Sequence, residues 1–365
     1  MLDTRLIMLE GLHGTGKSTN SHFLQLQLER NGYQAEFIYE SIRPHPLLFF
    51  YEACLTHAEY KALLEAYPDV ASIFDAVVIK RANTVSIDII EIEWNYKELI
   101  GEDAFKAICK YNAWGFPLDK YIDVSLDKWT YFCERALMDE GTVYLLDSAF
   151  FQFQIVSFLA KNAPYGQLED YVNKLIGIIR PLNPALIHLY RENAEETIRF
   201  LEEARGIKEL EILSEINKAE PYFQDKPAGA EGYRQFMRDW ASIADKLFNV
   251  LDCKKLAVEI SGNNWKRYES DMLSFLGIEE KPAPSFLPYN GVYKNDGLGL
   301  EIVVDGLSIK DPYGQVGTLI PKSRREYCVS GMPVILVYET QSRIIMSGTQ
   351  TCHRWTTTGT AYDLK

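Results

Sequence analysis

The chain has 365 residues, 47% hydrophobic and 24% charged, a folded-protein composition without a signature of disorder. Its net charge of −13 excludes broad electrostatic binding to nucleic acid or anionic membrane, and no apolar run approaches the ~20 residues that span a bilayer. The charge is uneven: the segment from Lys281 onward carries +2 and the first 280 residues −15, so an anion site in the first part needs cations of its own. The six cysteines (Cys54, Cys109, Cys133, Cys253, Cys328, Cys352) are scattered with no Cys-x-x-Cys, which favours reduced thiols over disulfides or zinc. The first strand begins within about five residues of Met1, leaving no room for a secretory leader; the expected location is cytoplasmic.

Leu6-Ile7-Met8-Leu9 reads as a buried strand, and Ser21 to Arg30 places Phe23, Leu24 and Leu28 at helical spacing. Between them runs Glu10-Gly11-Leu12-His13-Gly14-Thr15-Gly16-Lys17-Ser18-Thr19-Asn20, in which Gly11, Gly16, Lys17 and Ser18 fill every fixed position of the phosphate-binding loop. Strand, glycine loop and helix together aim backbone N–H groups and a helix N-terminus at anionic oxygens, and a Cβ at the glycines would block that approach. The expected contacts to the nucleotide come from Gly11, His13, Gly14, Thr15, Gly16, Lys17, Ser18 and Thr19. Lys17 reaches the β- and γ-phosphates, and the Ser18 hydroxyl is a ligand for Mg²⁺. A nucleoside triphosphate, ATP with Mg²⁺, is the implied cofactor.

Asn31-Gly32 stops the helix, and Gln34 to Tyr39 reads as a second strand ending in Glu40-Ser41-Ile42-Arg43-Pro44-His45-Pro46. Two prolines forbid a continuing helix there, and a loop at the C-terminal end of a strand beside a phosphate loop is where α/β folds place substrate contacts. Glu40, Arg43 and His45 are therefore candidates, against the alternative of a solvated turn. Tyr51 to Cys133 is aromatic and helical in pattern (Tyr60 to Ala66, Ala71 to Trp94, Ala104 to Tyr111) and reads as a helical insertion over the acceptor side. Lys80, Arg81, Glu91, Glu93 and Trp94 lie on it, with Arg81 and Trp94 the expected substrate contacts.

Thr142-Val143-Tyr144-Leu145-Leu146-Asp147 has the Walker-B form, a buried strand delivering a carboxylate to the metal or its waters; Asp147 also suits a helix cap. Ala185 to Leu189 is a further strand, with His188 a core histidine. Asn193-Ala194-Glu195-Glu196 opens a helix bearing Arg199 and Arg205, cations suited to clamping a transferring phosphoryl group. Lys255 to Ile260 is the last strand and Trp265 to Leu276 the last helix. Five strands alternating with helices imply a parallel sheet covered on both faces.

Glu279-Glu280-Lys281-Pro282-Ala283-Pro284 starts a linker over 278–288. Beyond it, short apolar runs (Val292-Tyr293, Leu300 to Val304, Leu307 to Ile309, Gln315 to Ile320, Val334 to Tyr338, Ile344 to Met346, His353 to Thr356) alternate with turn signals, predicting an antiparallel β module over 289–365.

The loop Glu10 to Thr19 and the order of the later motifs resemble the thymidylate kinase-like and deoxynucleoside kinase group of P-loop kinases across the first ~277 residues. That resemblance implies a P-loop kinase three-layer sandwich, with 1–277 as kinase domain and 51–133 as its insertion. It also implies a catalytic or substrate-orienting role for Glu40 and lid positions for Arg199 and Arg205. Asp147-Ser148 stands where the group has an acid–arginine pair; the arginine is Ser148 here, so the resemblance does not carry over the arginine's phosphate contact. The tail, Tyr289 to Tyr293 through Leu319-Ile320-Pro321, resembles the small β module that follows some serine-hydrolase domains, which implies no chemistry.

The expected activity is ATP- and Mg-dependent phosphoryl transfer to a small molecule: a nucleoside, a nucleotide or a nucleoside-like natural product. Lys17, Glu40, Asp147, Arg199 and Arg205 carry the chemistry, Ser18 and Asp147 the metal, and Glu40, Arg43, Arg81 and Trp94 the acceptor. Expected partners are that acceptor and no nucleic acid or membrane, with homodimerisation left open. The competing reading is a nucleotide-binding switch or NTPase whose β module binds a partner protein.

Overall fold

The computed structural model describes residues 2–365. Eight strands precede Gly277: β1 (Leu6–Glu10), β2 (Gln34–Ile38), β3 (Glu52–Thr56), β4 (Ile79–Lys80), β5 (Thr84–Asp88), β6 (Thr142–Asp147), β7 (Pro184–Tyr190) and β8 (Lys254–Glu259). Five of them form a parallel sheet in the order β2-β6-β1-β7-β8. Their near-continuous apolar sequences follow from burial on both faces. Leu6, Met8, Tyr144 and Leu146 point into one core with helices Leu118–Met138, Gln152–Ala160, Tyr165–Ile179 and Ala230–Val250. Ile7, Leu9, Val143 and Leu145 point into the other, against α1 (Lys17–Arg30) and the helix Trp265–Leu276. The first domain is thus a three-layer P-loop kinase sandwich.

The insertion departs from the helical expectation. Helices His57–Ala66, Ala71–Val77 and Lys97–Cys109 are present, but β3, β4 and β5 form an antiparallel sheet in the order β3-β5-β4. Thr84-Val85-Ser86-Ile87 is β-branched at three of four positions, which suits a strand, and Val85 and Ile87 pack with Ala53 and Leu55 in a small core of their own.

The C-terminal strands close into a barrel: β9 (Gly291–Asn295), β10 (Leu300–Asp305), β11 (Ser308–Lys310), β12 (Val316–Pro321), β13 (Glu326–Val329), β14 (Val334–Thr340), β15 (Arg343–Gly348) and β16 (Ala361–Leu364), with β16 pairing back onto β9. Tyr293, Tyr327, Tyr338 and Tyr362 fill its core. The run His353 to Thr356, expected as a strand, is a 3₁₀ turn at Arg354–Thr356; the Thr351 and Thr356 hydroxyls pair at 2.6 Å, and Tyr362 donates to the Trp355 carbonyl at 3.0 Å. Two strands the pattern did not mark complete the barrel: β13, between β12 and β14, and β16, which closes it onto β9.

The barrel is fastened to the α/β part of the chain at three places. The linker lies along α1: the Lys281 N–H donates to Gln27 Oε1 at 2.9 Å, Gln27 Nε2 donates to the Lys281 carbonyl at 3.1 Å, and Asn31 Nδ2 donates to the Glu279 carbonyl at 2.8 Å. On α1 itself, the Gly331 N–H donates to His22 Nδ1 at 3.1 Å, and Lys322 pairs with Glu29 at 2.8 Å. Beyond Glu40, the segment Ser41 to Arg43 adds to the barrel as a short antiparallel bridge. There the Arg43 N–H donates to the Gln350 carbonyl at 2.9 Å, and the Cys352 N–H donates to the Ser41 carbonyl at 3.0 Å. All six cysteines are free, and among the described residues no helix is long and apolar enough to cross a membrane.

Candidate active site

The loop leaves the C-terminal edge of β1 and turns directly into α1. Gly11 is there because of close approach: a Cβ would lie 2.3 Å from the Leu189 carbonyl oxygen on β7 and 2.7 Å from Thr15 Oγ1. Gly16 has φ +84°, and a Cβ there would press on Trp265 at 2.9 Å. Lys17 is buried, and its ammonium donates to the Leu12 carbonyl at 2.9 Å, its one hydrogen bond to protein. Burial pushes its pKa below the ordinary lysine range, only partly offset by Asp147, Glu40 and Glu10. His13 is half-buried, and desolvation, with Lys17 and Arg205 nearby, keeps its imidazole neutral.

Asp147 ends β6, the strand beside β1, fully buried. The Ser148 hydroxyl donates to Asp147 Oδ1 at 2.8 Å, while Oδ2 is buried with no partner. Burial and then the Glu40 carboxylate raise its pKa to about 7, against the lowering effect of Lys17, Ser18 and Ser148. An orphaned carboxylate oxygen beside a hydroxyl is a donor set that fits Mg²⁺, which takes one or two protein oxygens and completes its shell with phosphates and water. No group of three or more His, Cys, Asp or Glu able to cage a metal occurs among the described residues.

Glu10 has a role the motif does not reveal. Buried at the end of β1, its carboxylate accepts the N–H groups of Phe150 at 2.6 Å and Gln152 at 2.9 Å. It thereby caps the helix Gln152–Ala160, the capping task the sequence suggested for Asp147, and leaves Asp147 Oδ2 without that duty. Burial lifts the Glu10 pKa to about 7 despite these bonds. Ser148 takes a left-handed conformation, φ +65°, and its N–H donates to the Leu9 carbonyl at 3.1 Å, so the chain turns sharply just after the carboxylate. An acid closing a buried strand immediately before the loop was the available signal for Glu10; nothing in the sequence marks Ser148 as strained.

One cavity of about 700 Å³ opens over the loop; Gly11, Glu10 and Asp147 lie behind its lining. His13, Gly14, Gly16, Lys17, Ser18 and Thr19 of the loop line it with Glu40, Ser148 and Arg205, joined by Phe200 and Trp265 and by residues of the barrel, while Thr15 faces a separate cavity on the β7 side. Gln152 Nε2 donates to Glu40 Oε2 at 3.3 Å, tying that carboxylate to the segment Glu10 holds. Arg205 is exposed and pairs with Glu209 at 2.7 Å, a contact a bound anion can outcompete.

The other sequence candidates lie elsewhere. Arg199 is exposed and outside the cavity. Arg43 is consumed structurally: Nη1 bonds Asp88 at 2.9 Å and Glu91 at 3.0 Å, Nε donates to the Thr351 carbonyl at 3.2 Å, and the guanidinium stacks on Trp94 at 4.5 Å. Arg43 and Trp94 thus meet at a separate cleft between insertion and barrel. Arg81 is buried in the insertion against Glu52 at 3.3 Å, with its guanidinium also on Ser86. His45 is buried, accepting the Leu47 and Leu48 N–H groups at 3.0 and 2.8 Å. A cation or aromatic near a site in sequence is more often spent on packing, and these are.

Sheet order, loop and the acid ending the strand next to β1 define an α/β domain of P-loop fold, joined here to a β barrel. No protein-family profile and no curated protein matches the sequence. Among solved structures the chain is similar to a thymidylate kinase from Candida albicans: 12% identity, a TM-score of 0.33, and coverage of 75% of this chain and 91% of that one. A likeness that loose adds no weight to the strand order and loop geometry.

Proposed function

We propose that the protein transfers the γ-phosphoryl group of ATP to a small-molecule acceptor, a nucleoside, a nucleotide or a nucleoside-like compound. The observation that carries this reading is the convergence, in one cavity, of a phosphate loop with an acidic side chain from the neighbouring β2 loop and a cation from the β7 side. Loop N–H groups and Lys17, released from the Leu12 carbonyl, bind the β- and γ-oxygens. Mg²⁺ held by Ser18 and Asp147 would neutralise the charge those oxygens share. Arg205 closes on the transferring group, and Glu40 accepts the acceptor hydroxyl proton as the new O–P bond forms and the bond to the ADP oxygen breaks.

An acidic group facing the loop suits a hydroxyl acceptor better than a phosphate, which is already anionic and needs cations. Incubation of the full chain with Mg-ATP and a panel of nucleosides, nucleotides and hydroxylated natural products should yield at least one phosphorylated product. ATP turnover of equal rate with and without every acceptor would replace this reading by that of an NTPase. The barrel's three-point attachment beside the loop also speaks against a module free to engage a separate partner.

A further inference from the structure

The cavity has two chemically different walls. The kinase wall supplies its cations, Lys17 and Arg205, and the loop N–H groups. The barrel wall supplies none: it presents Val316, Val329 and Met332, the amide of Gln315 and the carboxylate of Asp311. Val316 is 72% exposed, at the start of β12, an apolar side chain left uncovered at the rim of a polar cavity. Asp311 Oδ1 accepts the N–H groups of Tyr313 at 2.9 Å and Gln315 at 2.8 Å, and Asp311 makes no ion pair among the described residues. Opposite, on the kinase wall, Trp265 stands over Gly16 and Phe200 over Gly14.

The barrel's position is fixed at the loop itself. Gly331 is buried, its N–H held by His22, and a Cβ there would lie 3.5 Å from the Thr19 nitrogen. The barrel turn therefore touches the first turn of α1, the end to which the triphosphate binds. A cavity with cations at one wall and apolar surface plus hydrogen-bond acceptors at the other suits a ligand with an anionic tail and a flat, uncharged head. The barrel side lines the cavity with the Asp311 carboxylate and with no lysine or arginine, which disfavours an anion there. A base stacked on apolar side chains, offering N–H or ribose O–H donors to a carboxylate, suits it.

We propose that the barrel is the second wall of the donor site: Val316 and Met332 pack on the nucleoside end of ATP, and Asp311 accepts its hydrogen-bond donors. This rests on the donor-site reading above, and the test separates the two. Equilibrium binding of Mg-ATP and of Mg-tripolyphosphate, which lacks the nucleoside, is measured on the full chain and its variants. Lys17→Ala should weaken both ligands at least ten-fold; if it weakens neither, the donor-site reading fails and the barrel proposal with it. Val316→Asp, at an exposed position that leaves folding undisturbed, should weaken Mg-ATP about ten-fold and tripolyphosphate less than two-fold.

Asp311→Asn gives a test by sign. If Asp311 binds the nucleoside, the variant weakens Mg-ATP several-fold while tripolyphosphate is unchanged or bound more tightly. If Asp311 acts only through its charge, losing it strengthens both ligands and the proposal is overturned. The barrel proposal alone is overturned if Lys17→Ala behaves as stated while Val316→Asp and Met332→Ala keep the wild-type ratio of ATP to tripolyphosphate affinity. It is also overturned if those variants raise only the KM of the acceptor.

Discussion

The molecule buries two lysines among carboxylates, and they behave oppositely. Lys128, on the helix Leu118–Met138, is fully buried, donates to the Leu48 carbonyl at 2.7 Å and pairs with Glu52, whose other oxygen meets Arg81 at 3.3 Å. Burial alone would push Glu52 up, but Lys128 and Arg81 together more than offset it, and the carboxyl lies below its usual range. Around Lys17 the balance is reversed: burial and Glu40 outweigh the lysine and lift Asp147 to about 7, and Asp147 Oδ2 has no partner. Both carboxylate oxygens of Glu52 are engaged, so the acceptors of that cluster are spent, and the buried atom left unpaired there is a donor, Arg81 Nε. At the loop it is an acceptor that is left, Asp147 Oδ2. Unspent acceptors beside an underused ammonium are the mark of a place where a ligand completes the structure.

The sharpest way to break this contrast is to remove each lysine. Lys17→Ala deletes a buried charge with a single backbone bond, so the apo protein should keep or slightly gain stability. Phosphoryl transfer should fall at least ~10³-fold, because the charge that meets the β- and γ-oxygens is gone. Lys128→Met should do the opposite. It leaves Glu52 buried with Arg81 alone, at a cost of about 3–5 kcal/mol in denaturant unfolding, while turnover per folded molecule stays within two-fold. Should Lys17→Ala unfold as readily as Lys128→Met while still turning over, the assignment of open and closed clusters is wrong.

A smaller effect sharpens the open cluster. Glu40→Gln keeps the shape and the contact to Gln152 but cannot take a proton, so kcat with a hydroxyl acceptor should drop about 10²-fold. On the proposed reading Glu40 acts on the acceptor and not on the triphosphate, so Mg-ATP affinity should hold. A fall in ATP affinity with kcat unchanged would remove Glu40 from the transfer step.

The loop and the parallel sheet were legible because their reasons are local. Gly11 must be glycine to pass the Leu189 carbonyl, and strands buried on both faces must be apolar throughout. β3, β4 and β5 were hidden because helical periodicity from His57 to Val77 runs straight into them, and β4 has only two residues. Arg43, Arg81 and Trp94 were legible as chemistry but not as place. Whether a guanidinium meets a ligand or Asp88 depends on strands that pair far along the chain. The barrel wall carries no motif at all. Val316 and Met332 reach the cavity because the linker lies along α1 and Ser41 to Arg43 bonds the far side of the barrel, contacts spanning some three hundred residues.

That attachment gives the mildest prediction, and its sign can be worked out. His22 is buried on α1, stacked on Phe37 with centroids 5.7 Å apart, and accepts the Gly331 N–H through Nδ1. Desolvation, with Lys322 and Arg30 close by, lowers its pKa to about 4; Glu36 lines the same cavity, and Lys322 is itself engaged by Glu29. An unfolded histidine titrates near 6.5, so below that pH the unfolded chain binds a proton that the folded chain refuses. Stability therefore rises with pH between about 4 and 6.5, and moving from pH 7 to pH 5 should cost ~2 kcal/mol through this residue. A proton on Nδ1 would also set a donor against the Gly331 N–H, so the loss should appear first as faster hydrogen exchange at Gly331. His22→Asn offers an acceptor that does not titrate, and its unfolding free energy should change less than the wild type's over that window. Parallel pH profiles for the two proteins would mean that the barrel is held against α1 by its other contacts, Lys322–Glu29 and the Lys281 strap.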